Sequence, residues 1–155
     1  MRYISVLLIL TALTVIACGG DNPAQWTFEP FSETVVDSTF TVPADSVQAF
    51  FVVVTVDDYI RNIVLEGEFQ VLNGGGASIQ AFVMRDYEFG AFLAGEPFLA
   101  MYGSNAVSTA TFLLPIESTD AYQVVFSNKS SAMTDRTVKA KVTISWEEQV
   151  ADAPD

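Results

Sequence analysis

The stretch Arg136-Thr137-Val138-Lys139-Ala140-Lys141-Val142-Thr143-Ile144-Ser145-Trp146 alternates apolar and polar side chains along its whole length. Alternation with a period of two indicates a β-strand that has one buried face and one solvated face. We therefore predict that the Thr, Lys and Ser side chains point outward. The inward-facing set is Val138, Ala140, Val142, Ile144 and Trp146.

Similar β patterns recur upstream of this stretch, at residues 47–56, 63–71, 78–86, 106–114 and 122–127. Residues typical of turns separate them, among them Pro43-Ala44-Asp45-Ser46 and Asn73-Gly74-Gly75-Gly76. Residues 87–95 contain several aromatic residues and glycines, and we predict a loop there that could include one helical turn. The pattern predicts an all-β fold, an antiparallel β-sandwich of about seven to eight strands. A closed barrel is the alternative.

Residues 78–86 allow a sharper prediction because apolar side chains stand on both faces of the expected strand. Successive side chains of a strand point to opposite faces of the sheet. Ile79, Ala81 and Val83 should therefore share one face, and Phe82 and Met84 should share the other.

The N-terminus has the composition of a secretory signal. Arg2 supplies a positive charge, and residues 4–17 are almost continuously apolar. This run is shorter than the ~20 residues that a transmembrane helix needs. We predict that residues 1–17 are a signal peptide that is removed by cleavage between Ala17 and Cys18.

The tetrapeptide Val15-Ile16-Ala17-Cys18 resembles the lipobox of bacterial lipoproteins. The resemblance implies that Cys18 becomes the new N-terminus and carries lipid, including fatty acyl chains such as palmitate. Gly19, rather than an acidic residue, follows the cysteine, which favours the outer membrane and a domain that faces the periplasm or the exterior. Residues 18–24 would be the lipidated cysteine and a flexible tether. The alternative is an ordinary signal peptide that ends near a cysteine.

Composition narrows the classes of function. The chain has 7 Lys and Arg, 19 Asp and Glu, and no His, with a formal net charge of −12. Such an acidic chain is a poor match for nucleic acid, whose phosphates bind Lys and Arg. The absence of His excludes Ser-His-Asp and Cys-His catalysis. We expect no nucleic-acid partner and no cofactor.

The segment Tyr122-Gln123-Val124-Val125-Phe126-Ser127-Asn128, with Ser131, Thr134 and 136–138 after it, resembles the closing strands of the GOLD (Golgi dynamics) domain. That domain is the lumenal β-sandwich of eukaryotic secretory cargo receptors. The segments 64–69 and 79–84 suit the same pattern. The receptor family has a disulfide cysteine where this chain has Val125. The resemblance implies a GOLD-like sandwich over residues 25–147 that acts as a non-enzymatic interaction module. Residues 148–155 are expected to be a disordered tail.

Several aromatic residues after the third predicted strand do not alternate as strand residues do. Aromatic side chains beside glycine suit a partner-binding surface. The alternative is that this segment covers an open end of the sandwich and buries the rings. The candidate contacts are Tyr87, Phe89, Phe92, Phe98 and Tyr102.

We expect a membrane-anchored lipoprotein whose sandwich binds another protein of the cell envelope. The alternative function is a carbohydrate- or calcium-binding module, because Asp57-Asp58, or Asp86 with Glu88, could supply oxygen ligands. A simpler explanation is that these acidic side chains lie on loops and are solvated there. A hydrolase with paired carboxylates or a Ser-Lys pair is a third hypothesis. Its candidate lysines are Lys129, Lys139 and Lys141.

One polar cluster in the GOLD-like segment has a structural explanation. Asn128 and Ser131 follow a predicted strand and precede the next one. Asn and Ser side chains commonly bond to nearby backbone groups in turns. We therefore expect Asn128 and Ser131 to cap this turn rather than to bind a ligand.

Overall fold

In a computed structural model, the protein is described at residues 5–6, 26–73, 77–131 and 133–151. Within these residues the predicted all-β sandwich is confirmed, and the eight strands from residue 26 onward pair antiparallel. The elements in chain order are β1 (Ser5–Val6), β2 (Trp26–Val42), β3 (Val47–Val54), β4 (Ile60–Val71), β5 (Gln80–Arg85), α1 (Asp86–Ala94), β6 (Tyr102–Gly103), β7 (Thr109–Pro115), β8 (Asp120–Ser127) and β9 (Arg136–Ala151).

The strands form two sheets. Sheet A has the order β1-β3-β8-β5-β6, and sheet B has the order β2-β9-β4-β7. The two-residue β1 pairs parallel with Phe51 and Val52 of β3, and it lies inside the predicted signal peptide. Cleavage after Ala17 would remove β1 and leave β3 at the edge of sheet A. The tether, Cys18 and the glycines at 74–76 lie outside the described residues.

The predicted inward faces of β9 and β5 are confirmed. Val138, Ala140, Val142 and Ile144 are buried in the core between the sheets, and Trp146 packs half-buried against it. Ile79, Ala81 and Val83 belong to the same core. Met84, with Phe82 packed beside it, belongs instead to a second apolar cluster on the outer side of sheet A.

Phe126 joins the two sheets at the centre of the core. Its fully buried ring lies 5.3 Å from Phe40, 6.1 Å from Phe50 and 5.6 Å from Phe69, measured between ring centroids. These rings come from β2, β3 and β4, and they meet at steep angles. Edge-to-face aromatic pairs contribute about 0.5–1.5 kcal/mol each beyond their buried area. The central core is therefore held by contacts that cross between the sheets.

The longest strand was not predicted from the sequence. β2 pairs with β9 over its whole length, from Trp26 opposite Ala151 to Val42 opposite Arg136. The register shifts between Thr34 and Val36. Before the shift, odd-numbered residues face inward, and after it even-numbered residues do, so the apolar–polar alternation is not continuous along the strand. The prediction of a disordered tail over residues 148–155 is wrong at 148–151, because these residues continue β9 and pair with the start of β2. Residues 152–155 lie outside the described residues.

The segment after β5 is a helix and not the predicted loop. α1 covers Asp86–Ala94 and ends at Gly95, whose left-handed backbone (φ 75°) caps it. It packs on the outer face of sheet A rather than over an open end of the sandwich. No helix in residues 26–73, 77–131 or 133–151 has the length and apolar character needed to cross a membrane.

Strand directions give the sandwich two distinct ends. The tether end, named for the predicted tether before Trp26, comprises residues 26–31, 55–59 and 147–151. The turn end comprises residues 43–46, 72–73, 128–131 and 133–135, beyond the opposite ends of the same strands.

Candidate functional site

The helix α1 is anchored by a cluster of phenylalanine rings. Phe89 and Phe92 are buried, with ring centroids 6.1 Å apart, and they pack with Met84 and Val125 of sheet A. Phe98, from the loop after the helix, places its ring 5.1 Å from that of Phe92. The loop and the helix therefore pack on the sheet as one unit.

Side-chain hydrogen bonds fasten both ends of this unit. At the start of α1, Gln123 Nε2 donates to Asp86 Oδ1 (2.7 Å), and the backbone N–H of Leu99 donates to Glu88 Oε2 (3.1 Å). At the other end, Lys129 Nζ donates to the carbonyls of Phe92 (3.2 Å) and Leu93 (3.0 Å). A cation at this position also complements the negative end of the helix dipole.

The outer side of the same unit exposes large apolar side chains. Tyr87 is 66% exposed, Leu99 is 76% exposed, and Leu93 and Met101 are each about 40% exposed. We call these four residues the α1 surface. Because the residues beneath them are packed and hydrogen-bonded, the α1 surface is presented by a backbone that is held in place before any partner binds.

The five predicted contact residues do not form one exposed site. Phe89 and Phe92 are buried, while Phe98 and Tyr102 are half-buried. Tyr102 packs against Phe112 at 5.1 Å, on the core side. Tyr87 alone among the five presents most of its surface to solvent.

The aliphatic members of the α1 surface, Leu93, Leu99 and Met101, were missed by the sequence analysis. No local signal identifies them, because Leu93 lies four residues after Phe89, on the same helical face, and Leu99 and Met101 lie beyond the end of α1. Helical spacing distinguishes only Tyr87 from the buried rings. Phe89 and Phe92 are three residues apart and share a face, whereas Tyr87 lies ~200° around the helix from Phe89.

Arg85 brings a positive charge next to the exposed ring of Tyr87. Its Nη1 lies 3.4 Å from the Tyr87 hydroxyl, and its Nε lies 3.4 Å from Asp120 Oδ2. The hydrogen bond to Tyr87, with a smaller contribution from the Asp120 carboxylate, raises the pKa of the Arg85 guanidinium. The guanidinium therefore remains charged beside the α1 surface.

The turn end is organised by one buried amide. Asn128 is fully buried, and the two N–H groups of its Nδ2 donate to three carbonyls, with one N–H shared: those of Val42 (3.2 Å), Pro43 (3.1 Å) and Thr134 (2.8 Å). Ser131 Oγ also donates to the Thr134 carbonyl (3.2 Å). These bonds confirm the prediction that Asn128 and Ser131 cap the turn.

Three of the four acidic residues considered for calcium accept hydrogen bonds within the fold. Asp57 Oδ1 accepts from the backbone N–H of Tyr59 at 2.8 Å, and Asp86 and Glu88 fasten α1 as described above. Within the described ranges, no group of three or more His, Cys, Asp or Glu residues is placed to hold a metal ion.

The outer face of sheet B carries two adjoining shallow depressions of about 470 and 480 Å³. Lys139 and Lys141 line the first of them, and Lys141 also lines the second, with glutamate and threonine side chains beside them. Lys139 and Lys141 lie at outward-facing positions of β9, as the apolar–polar alternation predicts. Together the depressions are lined by Glu66, Gly67, Glu68, Phe69, Gln70, Thr109, Ala110, Thr111, Phe112, Leu113, Lys139, Ala140, Lys141 and Thr143.

Comparisons with known proteins assign no family to this arrangement. No protein-family model matches the chain, and no curated protein matches it. The α1 surface is the candidate site, because its exposed apolar side chains lie on a packed and hydrogen-bonded backbone.

Proposed function

We propose that the protein is a bacterial lipoprotein of the outer membrane whose β-sandwich binds another protein of the cell envelope. The anchor is lipid on Cys18 after removal of residues 1–17. This anchor is supported by the agreement of Val15, Ala17 and Cys18 with the lipobox, and by their position at the end of an apolar signal of suitable length. Two or more acyl chains anchor a protein stably, whereas one chain does so marginally.

The binding role is carried by the α1 surface. Its four side chains are exposed although Phe89 and Phe92 beneath them are buried in a packed cluster. A surface that is already ordered loses little conformational entropy when a partner binds. Exposed Tyr and Met side chains are also enriched at protein interfaces. The proposed module is non-enzymatic, and it presents this surface while the lipid keeps it at the membrane.

We also propose that the sandwich is GOLD-like. A β-sandwich is the fold class that the resemblance of residues 122–138 implies. Fold alone does not carry function, so cargo sorting is not proposed.

The anchor is tested by the intact mass of the protein purified from its native membrane, beside a Cys18→Ser variant. The proposal predicts a wild-type chain that lacks residues 1–17 and carries the added mass of acyl chains. The variant should lack that acyl mass. A wild-type chain that is cleaved but not acylated, and that leaves the membrane without detergent, would contradict the anchor.

The binding role is tested by a photo-crosslinking residue placed at Leu99 in the native envelope. The matched control carries the same residue at Met133, which is 93% exposed at the turn end. We expect a discrete crosslinked species from position 99, absent from position 133 and lost when Tyr87→Asp is added. Equal crosslinking from both positions would contradict a specific role for the α1 surface.

The second candidate is a glycan-binding module, supported by the polar depressions on the outer face of sheet B. Flat sheet faces with carboxylate, amide and hydroxyl groups can hydrogen-bond sugar hydroxyls. A rise in melting temperature with added envelope glycans, abolished by Glu68→Ala with Lys141→Ala, would support it. No shift with the glycans would remove it.

A further inference from the structure

Aromatic side chains are exposed together at the tether end. Trp26 is 56% exposed and Tyr59 is 60% exposed, whereas Phe31, 39% exposed, lies five residues further along β2 on the opposite face of sheet B. Beside them, the Arg61 guanidinium covers the Phe28 ring at 3.6 Å, and the Phe31 ring stacks on Trp146 at 6.1 Å. Large apolar side chains gathered at one end of a domain mark an interaction surface.

These aromatic residues meet because three segments end at the same place in sheet B. Trp26 begins β2 opposite Ala151, and Phe28 lies opposite Gln149. The backbone N–H of Gln149 donates to the Tyr59 carbonyl at 2.8 Å, immediately before β4 begins. The last rungs of β2 and β9 and the start of β4 therefore bring Trp26, Phe28 and Tyr59 to one end.

The same end lies close in the chain to Cys18. Seven residues separate Cys18 from Trp26. A fully extended chain of that length spans at most ~28 Å. A lipid on Cys18 would therefore keep Trp26 within this distance of the bilayer surface. Tethering of this kind raises the effective concentration of the surface at the membrane, so that a weak contact suffices.

We propose that the tether end docks on the bilayer to which Cys18 is anchored, with Trp26 and Tyr59 in the headgroup region. This inference rests on the proposed lipid anchor. Trp and Tyr are the side chains enriched at membrane–water interfaces, because an apolar ring and a polar group suit that boundary. Docking would fix the orientation of the sandwich and raise the turn end away from the membrane.

The charges at the tether end determine which lipids suit it. Glu29 and Glu148 lie directly opposite each other on β2 and β9, and Asp57 and Asp58 precede Tyr59. Carboxylates are repelled by anionic headgroups. The contact must therefore come from the aromatic side chains and the tether, and zwitterionic phosphatidylcholine vesicles are the appropriate probe.

The chain has two tryptophans, which allow a direct test by fluorescence. The mature lipidated protein would be purified from its native membrane and placed on phosphatidylcholine vesicles that carry bromine on the acyl chains. Bromine quenches a tryptophan that lies near it. Three single-tryptophan proteins are compared: W146F, which reports from Trp26; W26F/W146F/Y59W, which reports from position 59; and W26F/W146F/M133W, which reports from the turn end.

Because interfacial tryptophans lie at the level of the headgroups, we expect quenching to remove at least about half of the emission at positions 26 and 59. Their emission should also shift to shorter wavelength. The reporter at position 133 should be unaffected. Unquenched emission at both 26 and 59, from protein that floats with the vesicles, would overturn the docking while leaving the anchor intact.

Two other outcomes would also overturn the inference, and they are distinguishable. Protein that fails to float with the vesicles would show that the lipid anchor itself is wrong. A blue shift at position 26 that grows with protein concentration, without quenching by brominated lipid, would show that a second copy of the chain covers the tether end instead.

Discussion

The turn end and the tether end of the sandwich are built from different side chains. At the turn end, Asn128 is fully buried and binds three carbonyls, and Asp135 and Asn73 link neighbouring loops by further hydrogen bonds. At the tether end, Trp26 and Tyr59 expose more than half of their surface to solvent. A buried hydrogen-bonded amide therefore organises the turn end, while the tether end leaves large apolar side chains exposed to solvent.

The largest expected effect is at the turn end. Asn128→Ala removes two buried N–H donors and leaves the carbonyls of Val42, Pro43 and Thr134 without them. We expect the free energy of unfolding to fall by about 3 kcal/mol, because unsatisfied buried polar groups are costly. Urea denaturation measures this loss.

The matched control for Asn128→Ala is Ser131→Ala. It removes a single, more exposed hydrogen bond to Thr134. The expected loss is about 1 kcal/mol. Equal losses for the two variants would mean that Asn128 does not organise the turn end.

A second effect comes from the middle of sheet B, between the two ends. A Cβ atom on Gly67 would overlap the ring of Phe112 and lie 3.1 Å from Cγ2 of Val142. Gly67→Ala should therefore lower the free energy of unfolding by about 2 kcal/mol, because overpacking displaces core side chains. Thermal and urea unfolding would both report the loss.

Gly90→Ala is the control for the Gly67 variant. A Cβ at Gly90 meets no atom within 4 Å, and the residue lies inside α1. Alanine should stabilise this helix by about 0.5–1 kcal/mol. A loss at Gly90 as large as that at Gly67 would show that close packing does not explain either result.

A smaller effect is expected where α1 meets the turn end. Lys129→Met keeps an unbranched apolar chain but removes the two hydrogen bonds to the carbonyls of Phe92 and Leu93. We expect a loss of about 1 kcal/mol and faster hydrogen exchange at the end of α1. Unchanged exchange there would mean that Lys129 does not fasten the helix.

The smallest effect on stability is expected at the tether end. Trp26→Ser replaces an exposed side chain at the beginning of β2, so the free energy of unfolding should change by less than about 0.5 kcal/mol. The same change should weaken contact with phosphatidylcholine vesicles. A loss as large as that of Asn128→Ala would remove the contrast between the two ends.

The sequence predicted the parts of the fold that follow from local alternation. β9 and β5 could be oriented residue by residue because each side chain's face follows from its position in the strand. β2 could not, because the shift between Thr34 and Val36 reverses the pattern and the pairing with β9 joins residues far apart in the chain. α1 has nine residues, too few for a helical period to stand out among aromatic residues.

The candidate site was less predictable than the fold. The aromatic content of residues 87–102 indicated the correct segment, but not which rings the sheet would cover. That depends on the outward side chains of β5 and β8, such as Met84 and Val125, on which α1 packs. The partners of Asn128 were likewise beyond local reasoning, because Val42 lies 86 positions away in the chain.

Hydrogen exchange tests the contrast between the ends most directly. It would be measured on the soluble chain from residue 18 carrying Cys18→Ser, and on the lipidated protein bound to phosphatidylcholine vesicles. In solution, we predict that the amides of residues 26–29 and 31 exchange at least about 100-fold faster than that of Asn128, which donates to the Ser46 carbonyl at 2.9 Å. On vesicles, residues 26–31 and 55–59 should become slower while Asn128 is unchanged. Equal protection of both ends in solution, with no change on vesicles, would contradict the account.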